Sequence, residues 1–569
     1  SGCTMRLIEC VPNFSEGRDL NKIKLITNAI ESVEGITLLD VDPGSDTNRT
    51  VVTFVGSPEI IAEAAFQGIK TASEQIDMSK HKGAHPRMGA TDVCPLVPVS
   101  NVTKEECIKI SKLLAKRVGN ELKIPVYLYE DSAQVPNRKD LSFIREGEYE
   151  GFSKKINESK WKPDFGPTKL NIKSGATVIG VRGFLIAYNI NLNTKDERLA
   201  TDIAFELRES GRSKRIPNPD SPNLLDGEIV RTKDGKPVKV SGFFKDLKGV
   251  GWYLPELKRA QISLNFNNYN KTTLHEVFDK ACELAQHRGI RVTGSELVGL
   301  VPMDALLMAG GYYLKKQRYT MGIPENDIIE VAIQSLGLND IVPFKPKEKI
   351  IEFAVKKYSK ELMSLKTHNF IEELSSNSPA PGGGSVSALA GSLGAALVSM
   401  VGALNHEKKE NINIKPELEK IGIESQEIKD RLSFLVDEDT NAFNGLIEAN
   451  RLPSNDKVEK RERLNAIKQA NEYAIEIPLE VIYHCSRVIE LSEKLIDNGS
   501  SSLVSDAGVS AELALAGVRG AAMNVLINLL NISDDNYCSE KRKLVQKLII
   551  DSEKKWKIVF DKTMKKITA

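Results

Sequence analysis

An α/β first half followed by an all-helical second half is the fold class this sequence predicts, and three observations carry it. Strand-like and helix-like stretches alternate as far as VTGSELVGLVP at 292–302. Beyond the proline- and lysine-rich PFKPKEKI at 343–350 the pattern is helical and strand signals nearly vanish. The chain has 569 residues, too many for one core at roughly 100–200 residues per domain, so several units are expected.

In the first module MRLIECV, ITLLDVD and NRTVVTFVG read as strands, with the amphipathic run LNKIKLITNAIESV between the first two. A second helix, SPEIIAEAAFQGIKTASEQI, starts at a serine cap, Ser57, with Pro58 in its first turn. ATDVCPLVPV, the helix KEECIKISKLLAKRVGNEL and PVYLYE follow. The order β-α-β-β-α-β belongs to a split βαβ, ferredoxin-like layer and not to a continuous Rossmann unit. Charge, proline and glycine between Ser132 and Ser174 suggest a loop-dominated joint. A second α/β module opens at ATVIGVRGFLIAYNINLN and returns at RAQISLNFNNY; both runs end in asparagines, which hints at duplicated architecture.

In the second half, Ala380 to Asn405 carries no charge over a length able to cross a bilayer. Its glycine, alanine and serine content, without aromatic belts, instead points to a soluble helix on which neighbouring backbones pack closely. The stretch 504–530 repeats this style and embeds Asp506, Glu512, Arg519, Asn524 and Asn528 among small residues, as hydrogen-bonded core groups or as pocket lining.

Lysine plus arginine (78) nearly balances aspartate plus glutamate (77), so no global field draws nucleic acid or an anionic membrane. The seven cysteines form no CxxC pair, which argues against a zinc ribbon or a disulfide framework and for reduced thiols. SGCTMRLIECV lacks a basic segment followed by a long apolar run, so no secretory leader is expected.

Two places carry candidate chemistry. HKGAHPRMGATDVCP, 81–95, holds two histidines four residues apart. Gly83, Pro86 and Gly89 oppose a helix that would join them as metal ligands, and Pro86 pushes His85 toward extended backbone. An imidazole in a rigid loop suits acid-base work near neutral pH; a packed or capping histidine remains the alternative. In DRLSFLVDEDTNAFNGLIEA the apolar positions Leu432, Leu435, Val436, Phe443 and Leu446 follow helical spacing, and Asp439 falls within their stripe while Asp437 points away. Burial raises a carboxyl pKa and would make Asp439 a proton donor; on spacing alone, pairing with a buried cation or amide is the weightier reading. The run PGGGS at 381–385 lacks the lysine of a phosphate loop.

CVPNFSEG (10–17), LLDVDPGSDTNRTVVTFVG (38–56) and HKGAHPRMGATDVCPLVPV (81–99), with RAQISLNFNNY and SELVGLVP, resemble the glutamate formiminotransferase domain. SPAPGGGSVSALAGSLGAAL (378–397) and LVDEDTNAF (435–443) resemble the formiminotetrahydrofolate cyclodeaminase family. Their succession is that of the bifunctional formiminotransferase-cyclodeaminases. The resemblance implies two formiminotransferase subdomains at 5–180 and 181–330, a linker at 331–357 and a helical cyclodeaminase domain at 358–569.

It also implies two reactions: formimino transfer from N-formimino-L-glutamate to N5 of tetrahydrofolate, then closure to 5,10-methenyltetrahydrofolate with loss of ammonia. Polyglutamylated tetrahydrofolate is the expected co-substrate, with no metal and no tightly bound cofactor. A cytoplasmic homo-oligomer, dimers or a ring of dimers, without membrane span or nucleic acid, is expected. His85 takes the place of the transferase acid-base residue, Asp42 that of an acidic neighbour orienting or polarising it, and Asp439 that of the cyclodeaminase proton donor, with Asp437 as fallback. The folate-contacting loop falls on Gly166, Pro167, Thr168, Lys169, Leu170, Asn171, Ile172, Lys173, Ser174 and Gly175; Lys169, Asn171 and Lys173 depart from the family's more apolar centre and suit an acidic polyglutamate tail. Arg49 and Arg87 are candidates for substrate carboxylates, because a guanidinium binds carboxylate in a two-pronged way. The alternatives are a formyl-donor transferase, a metal-dependent hydrolase using His81 and His85, or a folate-binding protein with a degenerate site.

Overall fold

In the computed structural model residues 6–356, 361–498 and 501–568 are described. The chain divides into two compact units, Met5–Ala305 with Leu336–Tyr358, and Leu306–Ser335 with Ser359–Ala569.

The first unit opens with β1 (Leu7–Cys10), β2 (Asn13–Phe14), α1 (Leu20–Glu31), β3 (Thr37–Gly44), β4 (Arg49–Gly56), α2 (Ile61–Gln75), β5 (Thr91–Ser100), α3 (Lys104–Glu121) and β6 (Val126–Glu130). After α4 (Leu141–Arg145) and α5 (Glu148–Lys155), β7 (Thr177–Val181) enters the same sheet. Val11 and Pro12 separate β1 from β2, which lie between β4 and β5, and the spatial order is β3-β4-β1/β2-β5-β7-β6. Pairing is antiparallel from β3 to β5 and parallel where β7 joins β5 and β6. Alternation along β4 shows why one face is core: Thr50, Val52 and Phe54 are buried, whereas Arg49, Val51 and Thr53 stay half-open on the other face.

A second sheet holds β8 (Ile186–Leu192), β13 (Leu247–Leu254), β14 (Arg259–Phe266) and β15 (Val292–Val298), all antiparallel in the order β13-β14-β8-β15, with α6 (Glu197–Leu207) and α7 (Leu274–His287). Two short ribbons, β9 (Arg212–Ser213) with β12 (Lys239–Val240) and β10 (Arg215–Ile216) with β11 (Glu228–Ile229), fill the loop before β13. Both sheets thus follow β-α-β-β-α-β with the second, third, first and fourth strands side by side, the duplication at which the asparagine-ended runs hint.

The stretch 132–174, expected as a loop-dominated joint, carries a small core of its own. Tyr127, Ile144, Phe152, Ile156 and Trp161 pack together, and Lys155 is buried with its ammonium donating to the carbonyls of Ile144 (2.6 Å) and Glu146 (2.7 Å). Burial brings the Lys155 pKa down to about 8. Scattered charges hide these apolar residues from a periodicity count. The segment 331–357, read as a linker, is folded as well: α10 (Pro346–Lys349) and α11 (Ile351–Lys356) lie there, Ile350 bridges Val301, and Glu352 accepts the Met303 amide at 2.9 Å.

The second unit is helical throughout its described residues: residues 306–335 of α8 (Met303–Lys316) and α9 (Glu325–Ser335), then α12 (Thr367–Ser375), α13 (Gly383–Glu407), α14 (Lys415–Arg451), α15 (Lys457–Asn498), α16 (Val504–Asn528) and α17 (Asp535–Thr568). Residues 306–335, expected in the second α/β subdomain, group here because Glu419 accepts from Thr320 and from the Met321 amide (3.0 Å), and Ser399 donates to the Gly322 carbonyl (3.0 Å). Small residues set the helix spacing: a Cβ at Gly391 or Gly517 would lie 2.4 or 2.6 Å from the buried Cys485 sulfur. The α13 helix and residues 504–531 are each long and apolar enough to cross a bilayer. Each also leaves an exposed row seven residues apart, Val386, Leu393 and Met400 on α13 and Val509, Ala516 and Met523 on α16.

One backbone contact in the first unit tests this account. Gly175 has φ +67°, and a Cβ there would lie 2.1 Å from the Met88 carbonyl oxygen; Gly235, at φ +76°, faces open space. Gly235→Ala should cost about 1–3 kcal/mol for left-handed strain alone, and Gly175→Ala distinctly more. Urea unfolding should therefore show a larger drop in midpoint for Gly175→Ala, and equal drops would refute the close approach.

Candidate active sites

The histidine loop runs from the end of α2 into β5 and is fixed at both ends by the 166–175 loop. The Met78 amide donates to the Lys173 carbonyl (2.8 Å), Ala90 to Ser174 (2.9 Å) and Ala176 to Met88 (3.1 Å). Gly89 and Gly175 face each other as an isolated bridge. The two segments, about ninety residues apart in sequence, therefore form one seam.

His81 and His85 are held differently. His81 Nε2–H donates to the Asn48 carbonyl (2.9 Å), and its Nδ1 accepts from Arg87 Nε (3.1 Å), so both ring nitrogens serve the loop. His85 Nδ1–H donates to the Pro86 carbonyl (2.7 Å), which leaves the Nε2 lone pair facing outward, where Arg49 Nη1 donates to it. Burial, then the Arg49 cation, lowers the His85 pKa. The imidazole is consequently a neutral base near pH 7, with its reactive nitrogen capped by a guanidinium.

Arg49 also donates from Nε to Asn13 Oδ1 at 2.8 Å. Asp42 lies exposed on β3, paired in register with Val51. Its charge acts on Arg49, and the contacts that orient His85 come from Pro86 and Arg49. Arg87 has all five guanidinium donors engaged, on His81 Nδ1, the His81 carbonyl, two Glu150 oxygens and one Glu148 oxygen. That leaves it no donor for a substrate carboxylate, and it ties α5 to the loop instead.

In the 166–175 loop, Thr168, Lys169, Ile172 and Lys173 are exposed, Gly166, Pro167, Leu170 and Asn171 half-exposed, and Ser174 and Gly175 buried. Asn171 Oδ1 accepts the Ser174 amide (2.9 Å), and Tyr149 donates to the Ile172 carbonyl (2.6 Å). Lys173 spends its ammonium on the Glu74 carbonyl at the end of α2 (2.6 Å), which leaves Lys169 as the more available cation.

Sequence reasoning missed three residues here. Asp92, almost fully buried, accepts the Met88 amide (2.8 Å) and pairs with Arg145 of α4. Glu9 of β1 lines a cleft of about 480 Å³ between the two sheets with Asp40, Thr53, Arg182, Phe184, Leu185 and Val298. Burial raises the Glu9 pKa to about 7, against the pull of Arg182. The strand period marks Glu9 as facing the side away from Ile8 and Cys10, but no local signal announces a pairing 53 residues apart such as Arg145 with Asp92.

In the helical unit Asp439 sits on α14 opposite the start of α13. A Cβ at Gly384 would lie 1.9 Å from Asp439 Oδ1, so the missing side chain is what makes room for the carboxyl. Ser385 shares its one Oγ–H between the Val436 carbonyl (2.9 Å) and Asp439 Oδ2 (3.2 Å). Burial raises the Asp439 pKa, and the Ser385 hydrogen bonds moderate the rise. Leu432, Leu435 and Val436 are buried as the spacing predicts, but Phe443 is exposed, so the apolar stripe ends beside Asp439 and leaves the carboxyl half-open. Asp437 is spent on the amides of Leu362 (2.5 Å) and Met363 (3.3 Å). Asn524 of α16 lies across from Gly383, whereas Asn528 donates to the Ala474 carbonyl (2.7 Å).

Comparison with known proteins matches residues 7–182 to the formiminotransferase domain, N-terminal subdomain, 187–356 to the formiminotransferase domain, and 366–547 to the formiminotransferase-cyclodeaminase model. The chain is 41% identical to the formimidoyltransferase-cyclodeaminase of Mus musculus over 96% of its length and 97% of that protein. Its first part is 40% identical to a glutamate formimidoyltransferase of Streptococcus pyogenes, over 57% of this chain and 99% of the relative. A methenyltetrahydrofolate cyclohydrolase of Methylorubrum extorquens is 34% identical over 32% of this chain and 88% of that protein. With domain models along the chain and full-length relatives at this identity, the chain belongs to the formimidoyltransferase-cyclodeaminase family.

Proposed function

We propose that the chain runs two consecutive reactions of folate one-carbon metabolism, downstream of histidine breakdown. The first moves the formimino group from N-formimino-L-glutamate to N5 of tetrahydrofolate and releases glutamate. The second closes 5-formiminotetrahydrofolate to 5,10-methenyltetrahydrofolate and releases ammonia. The observation that carries the reading is the seam of backbone contacts between the loop that holds His85 and residues 166–175, the segment matching the family's folate loop. Full-length relatives named for both activities support it.

In the transferase, N5 attacks the amidine carbon and its proton passes to His85 Nε2; the tetrahedral adduct then collapses as the imidazolium protonates the departing glutamate nitrogen. Arg49 caps that lone pair in the free enzyme and turns to the incoming carboxylate as substrate binds. Tetrahydrofolate is co-substrate, and exposed Lys169 is the cation we assign to an acidic glutamate tail. In the cyclodeaminase, N10 attacks the formimino carbon and its proton passes to the imino nitrogen; Asp439 then protonates the resulting amine so that ammonia leaves with the C–N bonding pair while N5 and N10 stabilise the methenyl cation. A neutral acid is needed there, and burial favours that form.

Finer readings follow. The second, third, first and fourth strands of each sheet suit split βαβ, ferredoxin-like subdomains, the first to about 180; the second, read as 181–330, keeps its sheet but gives up 306–330 to the helical unit. Cys10 and Cys94, unbonded with sulfurs 3.6 Å apart, suit a reducing cytoplasm. The exposed heptad rows of α13 and α16 suit docking against a second copy of the chain.

Three outcomes test this. In a coupled assay His85→Ala should lose at least about a hundredfold in kcat/KM for transfer, whereas Asp439→Asn should transfer normally and accumulate the 5-formimino intermediate without releasing ammonia; full turnover by both would refute the assignments. Transfer should fall toward acid as the His85 base protonates, with a midpoint below the ordinary imidazole value of about 6.5, and Arg49→Gln, which removes a lowering cation, should move that midpoint upward. Leu393→Glu with Met523→Glu should reduce the assembly mass in sedimentation while preserving helical content; an unchanged mass would remove α13 and α16 from any interface.

A further inference from the structure

The geometry points to Arg145 as the residue that grips a carboxylate of the glutamate portion of the donor, beside His85 and together with Arg49. This rests on the transferase reading of the His85 loop.

Arg49 reaches His85 Nε2, Arg145 is paired with Asp92, and Asp92 accepts the amide of Met88, three residues beyond His85. Arg145 is mostly buried, with 16% of its side chain exposed, and Asp92 is buried. Arg145 lies close enough to Arg49 and His85 to lower the pKa of each. A mostly buried guanidinium, Arg145, and a half-buried one, Arg49, therefore share one buried carboxylate, since Asp42 is exposed. The excess positive charge in a partly desolvated place favours an incoming anion.

The donor inventory agrees. Arg145 Nη2 donates to Asp92, whereas its Nε is buried and finds no acceptor among the described residues. A planar guanidinium held on one side by a fixed carboxylate presents its remaining terminal N–H groups to a second carboxylate without reorganising, while the enclosed Nε stays out of a substrate's reach. The short α4 helix, capped by Asp140 on the Ser142 amide (2.8 Å), delivers Arg145 to this place. Arg87, the other arginine near the loop, has no donor left. Arg145 thus takes the carboxylate role first given to Arg87 from sequence.

The test uses three donors with the full-length enzyme and tetrahydrofolate: N-formiminoglutamate, 4-formimidamidobutanoate, which lacks the α-carboxylate, and 2-formimidamidobutanoate, which lacks the side-chain carboxylate. Wild type should favour the full donor over one analogue by about 10- to 100-fold in kcat/KM, the size of a charge-assisted contact. Arg145→Gln should shrink that preference below about threefold, with Arg145→Lys between. The preference is a ratio taken on one sample, so partial misfolding, which lowers all three rates alike, leaves it unchanged; the lysine variant keeps a cation opposite Asp92. Wild-type preferences in both variants, or no preference in wild type, would overturn the Arg145 assignment while leaving the transferase standing. Absence of transfer from N-formiminoglutamate in wild type would instead bring down the transferase reading and the inference with it.

Discussion

The near contact of two backbones at Gly89 and Gly175 is the constraint on which the first unit depends. Neither position has space for a methyl group, and the hydrogen bonds of Ala90 and Ala176 across the gap hold the histidine loop and the 166–175 loop as one body. A loop of glycines and prolines has many conformations when isolated; here it has one, because a second loop fixes its backbone. His85 inherits its direction from that arrangement. Its Nδ1–H is committed to Pro86, so tautomer and ring plane are set before any substrate arrives.

Burial acts on a titratable group in each unit. In the first, burial and then the nearby guanidiniums disfavour a further positive charge on His85. In the second, burial disfavours the negative charge on Asp439 and raises its pKa, with only Ser385 opposing. Desolvation favours the uncharged species in both. Arrays of exposed salt bridges elsewhere, such as Lys562 with Glu493 and Asp497, contribute little beyond solubility by comparison.

Much of this was legible from the sequence where the signal is local. Helical spacing set Asp439 within the apolar stripe, and in α14 its carboxyl meets Ser385; Asp437, set off that stripe, is also half-buried, because the amides of Leu362 and Met363 cover it. Strand alternation marked β4, and the β-α-β-β-α-β order appears in both sheets. What could not be read depends on distant partners. The availability of Arg87 is decided by Glu148 and Glu150, more than sixty residues away. Lys173 turns to a carbonyl on α2. The small core around Trp161 is built from apolar residues too sparse among charges to show a period. Residues 306–335 carry ordinary helical patterns, and which unit claims them is decided by distant contacts such as those with Glu419, Ser399 and Gly422.

The fit of Gly384 against Asp439 has an evolutionary consequence. A hydrogen at one position and a carboxyl at the other occupy the same small volume, so the two cannot drift separately. On the proposed role of Asp439, a lineage that abandons the second reaction is released from both at once, since a shorter residue at 439 permits a methyl or larger group at 384. A bulky residue at 384 would then be a fossil trace of lost ring-closing chemistry, readable from a bare sequence even where the neighbouring acid has been replaced by something innocuous.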